Sequence, residues 1–179
     1  MENMNISKRM KSVLDGVTVI KSNRQGLNLK SLLTRARFNV GDTKGSFKCK
    51  TPRCKCCNDI EETQEVYFHK ANTNFTINSE MSCESENLIY VIFCNACDQY
   101  YIGETGDKLR SRTRVHRQGL TNNCSIYVDR HIHTCAKSLS EKYRVIPFFK
   151  MKSNSRTDRL EKEAHFISKF KPELNRDLQ

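Results

Sequence analysis

No apolar run in the chain approaches the roughly 18 residues of a membrane-spanning helix, and only 37% of its 179 residues are apolar. A helical membrane span is therefore excluded. The opening stretch MENMNISKRMKSVLDGV has no apolar h-region, so export through a signal peptide is not expected. No internal repeat is present. Acidic residues are outnumbered: 20 Asp and Glu against 31 Lys and Arg leave a formal charge of +11. That imbalance favours a polyanionic partner, either nucleic acid or an anionic membrane surface. What is abundant is cysteine, with nine residues. An odd number without an export signal points to metal ligation and away from a disulfide-rich secreted protein. The length fits one domain, or a compact domain with a small appendage. The composition is that of a basic, intracellular, zinc-containing nucleic-acid protein.

Three segments are expected. Residues 1–45 read as a polar, basic leader or linker, with Leu27, Leu29, Leu32 and Leu33 giving too little apolar surface to fold alone. Residues 46–86 form a Cys-rich, hydrophilic extension that has no core of its own and needs a metal to become ordered. The globular part is 87–179. NLIYVIFC and DQYYIGE read as two strands of a hairpin around the CNAC turn. DKLRSRTRVHRQGL reads as a helix, with Thr105 or Asp107 as N-cap and Gly119 as its stop. Residues 121–141 read as irregular. YRVIPFFKM is a third strand whose Pro147 demands an outer position or a bulge. A closing helix starts near Ser155 or Thr157 and ends at Pro172. The order predicts an α+β fold, a small mixed or antiparallel three-stranded sheet flanked by helices.

Helical spacing then isolates side chains that have no business in a core. In the closing helix Leu160, Ala164, Phe166, Ile167 and Phe170 share one arc, and Glu163 falls inside it. An inward acid needs a cation or a metal, and a structural salt bridge answers that need as well. In the middle helix Leu109, Arg112, Thr113 and His116 share a face, which aims Arg112 and His116 inward. Such a histidine also suits a plain hydrogen-bonded core position. Lys108, Arg110, Arg114 and Arg117 fall elsewhere and suit phosphate contacts or solvation. Tyr90 and Tyr101 stand one on each hairpin strand, where tyrosines commonly do no more than pack. Jointly, two phenols, a guanidinium, an imidazole and a carboxylate make a set able to hydrolyse a phosphodiester. The carboxylate would hold a divalent cation, and Arg112 would offset developing charge.

Those residues carry a resemblance. Leu88-Ile89-Tyr90, Tyr101-Ile102-Gly103, Arg112-x3-His116, Glu163 and the closing Lys171-Pro172-Glu173-Leu174-Asn175 resemble the GIY-YIG nuclease superfamily over about residues 87–176. The first motif departs from the pattern by lacking its glycine. The resemblance implies a GIY-YIG-like fold and a metal-dependent DNA endonuclease. In it Glu163 holds Mg2+ or Mn2+, Tyr90 acts as general base with Tyr101 and His116 beside it, and Arg112 stabilises the phosphorane. The placement of cysteines, with Cys94-x2-Cys97 between the two tyrosine motifs and Cys49-x4-Cys54-x2-Cys57 and Cys83 upstream, is similar to the endonuclease module of Penelope-like retroelements. That likeness implies an attached or separate reverse transcriptase, which a 3′-hydroxyl would prime; one active site per chain is expected to nick, and cutting both strands would need a dimer. DNA as substrate points to nuclear residence, for which Lys8-Arg9-Met10-Lys11 is a weak basic run.

The cysteines read as two structural zinc sites. One is Cys94, Cys97, His131 and Cys135, where His133 competes for a downstream place. The other is Cys49, Cys54, Cys57 and Cys83, with Cys56 an alternative to Cys57 and His69 an outside candidate. Cys124 has no partner by spacing and reads as a structural thiol. Bound zinc contributes about 10 kcal/mol or more, enough to order a segment that buries little apolar area. Two other readings fit the basic charge and the cysteines: an inactive zinc-dependent nucleic-acid-binding remnant, and a stand-alone structure-specific repair nuclease.

Overall fold

A computed structural model describes residues 43–121, 126–138 and 141–175. The leader lies outside them except for its last three residues, as does Cys124. The expected α+β architecture is present. Three strands, β5 (Leu88–Cys94), β6 (Tyr100–Thr105) and β7 (Tyr143–Lys150), form an antiparallel sheet with β5 central. Three helices flank it: α1 (Leu109–Thr121), α2 (Tyr127–Cys135) and α3 (Arg156–Phe170). Ahead of the sheet come two short pairs, β1 (Gly45–Phe47) with β4 (Glu80–Ser82), and β2 (Glu65–Phe68) with β3 (Thr73–Thr76). No described helix is long and apolar enough to cross a membrane.

β5 is apolar along its whole length because both its faces are covered, and every one of its residues is buried. In its register with β6, Tyr90 faces Gly103 and Ile92 faces Tyr101, which puts both phenols on one side of the sheet. Pro147 meets both its expected conditions. It lies on an outer strand, and the pairing with β5 shifts by one residue there, since Ile89 faces Phe149 while Tyr90 faces Pro147. Both outer strands have their free edges occupied. Asn175 acts on β6 like a residue of one more strand, its Oδ1 accepting from Ile102 N at 2.9 Å and its Nδ2 donating to Ile102 O at 2.7 Å. On β7, Val145 exchanges backbone hydrogen bonds with Asp59 and Glu61.

The extension departs from the expectation that it has no core. Val66, Phe68, Ile77 and Met81 are buried in the same apolar cluster as the sheet. Phe68 stacks on Phe170 with ring centroids 3.9 Å apart, and Phe75 meets Phe148, Phe166 and Phe170 edge-on. These apolar residues are isolated in a polar stretch, so they show no pattern of their own. The aromatic partners lie far along the chain, Phe148 on β7 and Phe166 and Phe170 on α3.

Two helix ends also differ from expectation. α1 takes neither Thr105 nor Asp107 as cap: its first amides, Leu109 N and Arg110 N, donate to the carbonyls of Ser85 and Cys83 at 3.0 and 2.9 Å. Gly119 does not stop α1, which runs on to Thr121. α2, absent from the sequence reading, buries Val128, Asp129 and Ile132. α3 begins as expected, with Ser155 Oγ accepting from Asp158 N at 3.3 Å, and it ends on left-handed Lys171 just before Pro172.

Because Phe68 anchors the extension to α3, Phe68→Ala should lower unfolding free energy by about 3–5 kcal/mol. Urea unfolding followed by circular dichroism checks this; a loss under about 1 kcal/mol would mean that the stack does not hold the extension in place.

Candidate active site and metal centres

Four of the five candidate catalytic side chains meet around the Tyr90 hydroxyl. Tyr90 is fully buried. Arg112 Nε donates to its oxygen at 2.9 Å, and His116 Nε2 lies 3.0 Å away. The Tyr101 ring stands 6.4 Å from the Tyr90 ring and 6.1 Å from the His116 ring, centroid to centroid. Gly103 makes this packing possible, since a Cβ there would come within 2.7 Å of the Tyr90 hydroxyl and 2.6 Å of the Tyr101 ring. The helical face read from the sequence is the one that turns inward: Leu109, Thr113 and His116 are buried and Arg112 is half-buried.

The fifth, Glu163, comes to the same place from α3. Its Oε1 accepts from the backbone N of Glu104, three residues beyond Tyr101 on β6, at 3.1 Å. The arc is rotated from the one expected. Leu160 and Ala164 are exposed, and Arg159 takes the buried place instead. The reason is a polar network: Arg159 Nε donates to Glu104 Oε2 at 2.7 Å and Nη1 to Asn87 Oδ1 at 2.9 Å. A buried guanidinium with full partners displaces a leucine that has none.

Electrostatics distinguish these groups. Burial pushes the Tyr90 phenol upward, with Tyr101 adding to the effect and Arg112 opposing it. Tyr101 is pushed up to about 12 by burial and by the Glu163 charge. Burial and the neighbouring Glu104 carboxylate raise Glu163 from its ordinary 4.5 to about 7. Two carboxylates facing one another in a half-buried position, one of them held by Arg159, suit a divalent cation on the other. Glu163 could hold such a cation. Tyr101 is buried with 8% of its surface exposed, and Arg112 and Glu163 are half-buried.

Beyond the cluster lie two groups of metal-binding geometry. The ligand atoms of Cys49, Cys54, Cys57 and Cys83 lie within 4.8 Å of one another, as do those of Cys94, Cys97, His131 and Cys135. Four thiols, or three thiols and an imidazole, are donor sets that suit tetrahedral zinc. The thiols of the first group differ: burial pushes Cys54 up to about 12 and raises Cys57, while at Cys49 burial is outweighed by hydrogen bonds from Thr51 and the neighbouring thiols, which lower it to about 6. His133 stands outside the second group, its Nδ1 on the Leu120 carbonyl at 2.8 Å. Cys56 is buried outside the first, and His69 lies 3.1 Å from Glu173.

The four basic candidates divide. Lys108 and Arg110 both pair with Glu84, and Arg117 pairs with Asp59. Arg114 is exposed without an ion pair among the described residues. Together with Arg53 and Lys55 of the extension, Arg110, Arg114 and Arg117 line a groove of about 610 Å³ beside α1. Sequence reading missed Arg53 and Lys55, whose basic character in the KCKTPRCK stretch was the available signal. It also missed Asp129, whose Oδ1 lies 2.8 Å from His116 Nδ1. No spacing signal marks that residue.

Glu163 binds its proton more tightly in the folded chain than in the unfolded one. Its deprotonation therefore costs stability progressively as pH rises from about 4.5 to about 7. Glu163→Gln should match the parent in Tm near pH 4 and exceed it above pH 7 in metal-free buffer. Adding Mg2+ at high pH should raise the parent's Tm and leave the variant's unchanged. Differential scanning fluorimetry reads both; a parent whose Tm ignores Mg2+ would remove Glu163 as its holder.

No curated protein and no solved structure matches this chain. A family model described as the GIY-YIG catalytic domain matches residues 86–176, a span that contains both tyrosines, Arg112, His116, Asp129 and Glu163. With that match over half its length, the chain belongs to the GIY-YIG family of nucleases.

Proposed function

We propose that this chain is a metal-dependent DNA endonuclease that nicks, leaving a 5′-phosphate and a 3′-hydroxyl. The observation that carries the reading is the convergence of Arg112 and His116 on the Tyr90 hydroxyl, with Glu163 brought to the neighbouring strand residue Glu104 from α3. Mg2+ or Mn2+, which Glu163 would hold, would supply charge stabilisation to the scissile phosphate. In this reading the scissile phosphate lies against Tyr101, Arg112 and Glu163. Arg112 faces the charge that develops on phosphorus and holds the Tyr90 oxygen in place. Tyr90 takes a proton from the attacking water and passes its own to His116. A phenol with an ordinary pKa of about 10 is a weak base at neutral pH. The short contact to the imidazole is what makes the step reasonable, because it gives the phenolic proton somewhere to go.

Around this centre, Arg114, Arg53 and Lys55 offer cations to the phosphate backbone, joined by Arg110, Lys108 and Arg117. Exposed ion pairs such as Arg110 with Glu84 are worth little, so Lys108 and Arg110 can exchange that carboxylate for phosphate. The two cysteine sites hold structural zinc in this reading. Their placement supports an assignment to a Penelope-like retroelement. There the nick primes reverse transcription by an attached or separate polymerase, in the nucleus, with a dimer where both strands are cut.

Relaxation of supercoiled plasmid by zinc-loaded protein tests the chemistry. Mg2+ should be required, Glu163→Ala should abolish nicking while DNA binding and zinc content persist, and Tyr90→Phe should lose about 10²-fold or more. Parent-like cutting by Glu163→Ala would refute the assignment of the catalytic metal. For the zinc site, Cys94→Ser should lower folded yield and zinc stoichiometry together. A well-folded variant with unchanged zinc would take Cys94 out of the ligand set.

A further inference from the structure

Asp129 is 1% exposed and His116 is 1% exposed, and they face one another at 2.8 Å. The nearby hydrogen bonds fix who donates to whom. A guanidinium can only donate, so Arg112 Nε–H donates to the Tyr90 oxygen. The Tyr90 O–H is then free to donate to His116 Nε2 at 3.0 Å, which must be the unprotonated nitrogen. Nδ1 consequently carries the ring proton, and its one acceptor is Asp129 Oδ1. A buried carboxylate that touches only the far nitrogen of a histidine selects that tautomer.

The chain makes room for this carboxylate. Gly119, one turn beyond His116 on α1, sits so close to it that a Cβ would overlap Asp129 Oδ2. A glycine costs about 1 kcal/mol in a helix interior, and here it opens the space that Asp129 fills. α2 is fixed against α1 by His133, whose Nδ1 donates to the Leu120 carbonyl at 2.8 Å.

We propose that Asp129 is a positioning residue of the active site: it holds His116 in the Nδ1–H tautomer, so that Nε2 accepts the Tyr90 proton, and it stabilises the imidazolium that results. The proposal rests on the endonuclease reading above. As the water oxygen bonds to phosphorus, a water O–H breaks and its proton goes to the Tyr90 oxygen. The Tyr90 proton moves to His116 Nε2, and the P–O3′ bond breaks with the leaving oxygen protonated from solvent. The imidazolium later returns its proton to solvent. Asp129 touches neither DNA nor the reacting atoms, so its removal should act on turnover and not on binding.

The test uses the full zinc-loaded chain, with plasmid nicking under Mg2+ and 15N spectra of ring-labelled histidine, the His116 signals assigned by their loss in His116→Gln. The parent should show His116 protonated at Nδ1. In Asp129→Asn the side-chain amide can donate to Nδ1, so that tautomer should lose its dominance. kcat should fall about 10²–10³-fold, with KM for DNA and zinc content within about twofold of the parent. Gly119→Ala, whose methyl displaces the carboxylate without removing it, should shift the tautomer and kcat in the same direction, and it serves if Asp129→Asn fails to fold. Parent-like kcat in both variants, beside an inactive Tyr90→Phe, would overturn the proposal and leave the endonuclease reading standing. A parent that does not nick at all would sink that reading. The His116 spectra would then still decide whether Asp129 sets the tautomer.

Discussion

A phenol oxygen sealed inside a protein must find hydrogen-bond partners or cost the fold a few kcal/mol, and the Tyr90 hydroxyl finds two. Arg112 and His116 reach it from one face of α1. This meeting joins the sheet to the helix, and every other device in the structure keeps it assembled. Gly103 clears the space in which the two tyrosine rings lie. The carbonyls of Cys83 and Ser85 hold the first amides of α1, so the start of that helix is tied to the last cysteine of the upstream thiol group. α2 carries Asp129 on one side and His131 and Cys135 on another, joining the second group to the back of His116.

α3 depends on the extension in a different way. Its aromatic face, Phe166 and Phe170, packs against Phe68 and Phe75 and not only against the sheet. Burying rings of this size contributes about 1.5–3 kcal/mol each. The hairpin that supplies them therefore helps set the position of Glu163, one turn earlier on the same helix. The cysteine-rich region and the catalytic face form one apolar cluster.

Much of the site could be read from the chain because it lies on regular elements. Strand alternation places Tyr90 and Tyr101 together, and the 3.6-residue period brings Arg112 and His116 inward. Cysteine spacing selects both thiol groups, since ligands on a turn must come in close pairs. What escaped is non-local. Asp129 lies thirteen residues from His116 on a helix whose YVDRHIHTC stretch shows only Val128 and Ile132 as an apolar signal. Arg159 takes a core place because Glu104 and Asn87 await it, and no periodicity can show that. Phe68 and Phe75 look like stray aromatics until α3 folds back over them. The same holds for the cap of α1, supplied by backbone carbonyls that carry no residue signature.

The Asn175 clasp on Ile102 has a consequence for assembly. An open strand edge is an invitation to pair with another chain, through exposed amides and carbonyls. Here one rim of the sheet is closed by a side-chain amide and the other by the backbone around Ile60. Two copies cannot join by continuing the sheet across those positions. A twofold association is left to helix surfaces, loops and the outer edges of the β2–β3 pair, away from those positions.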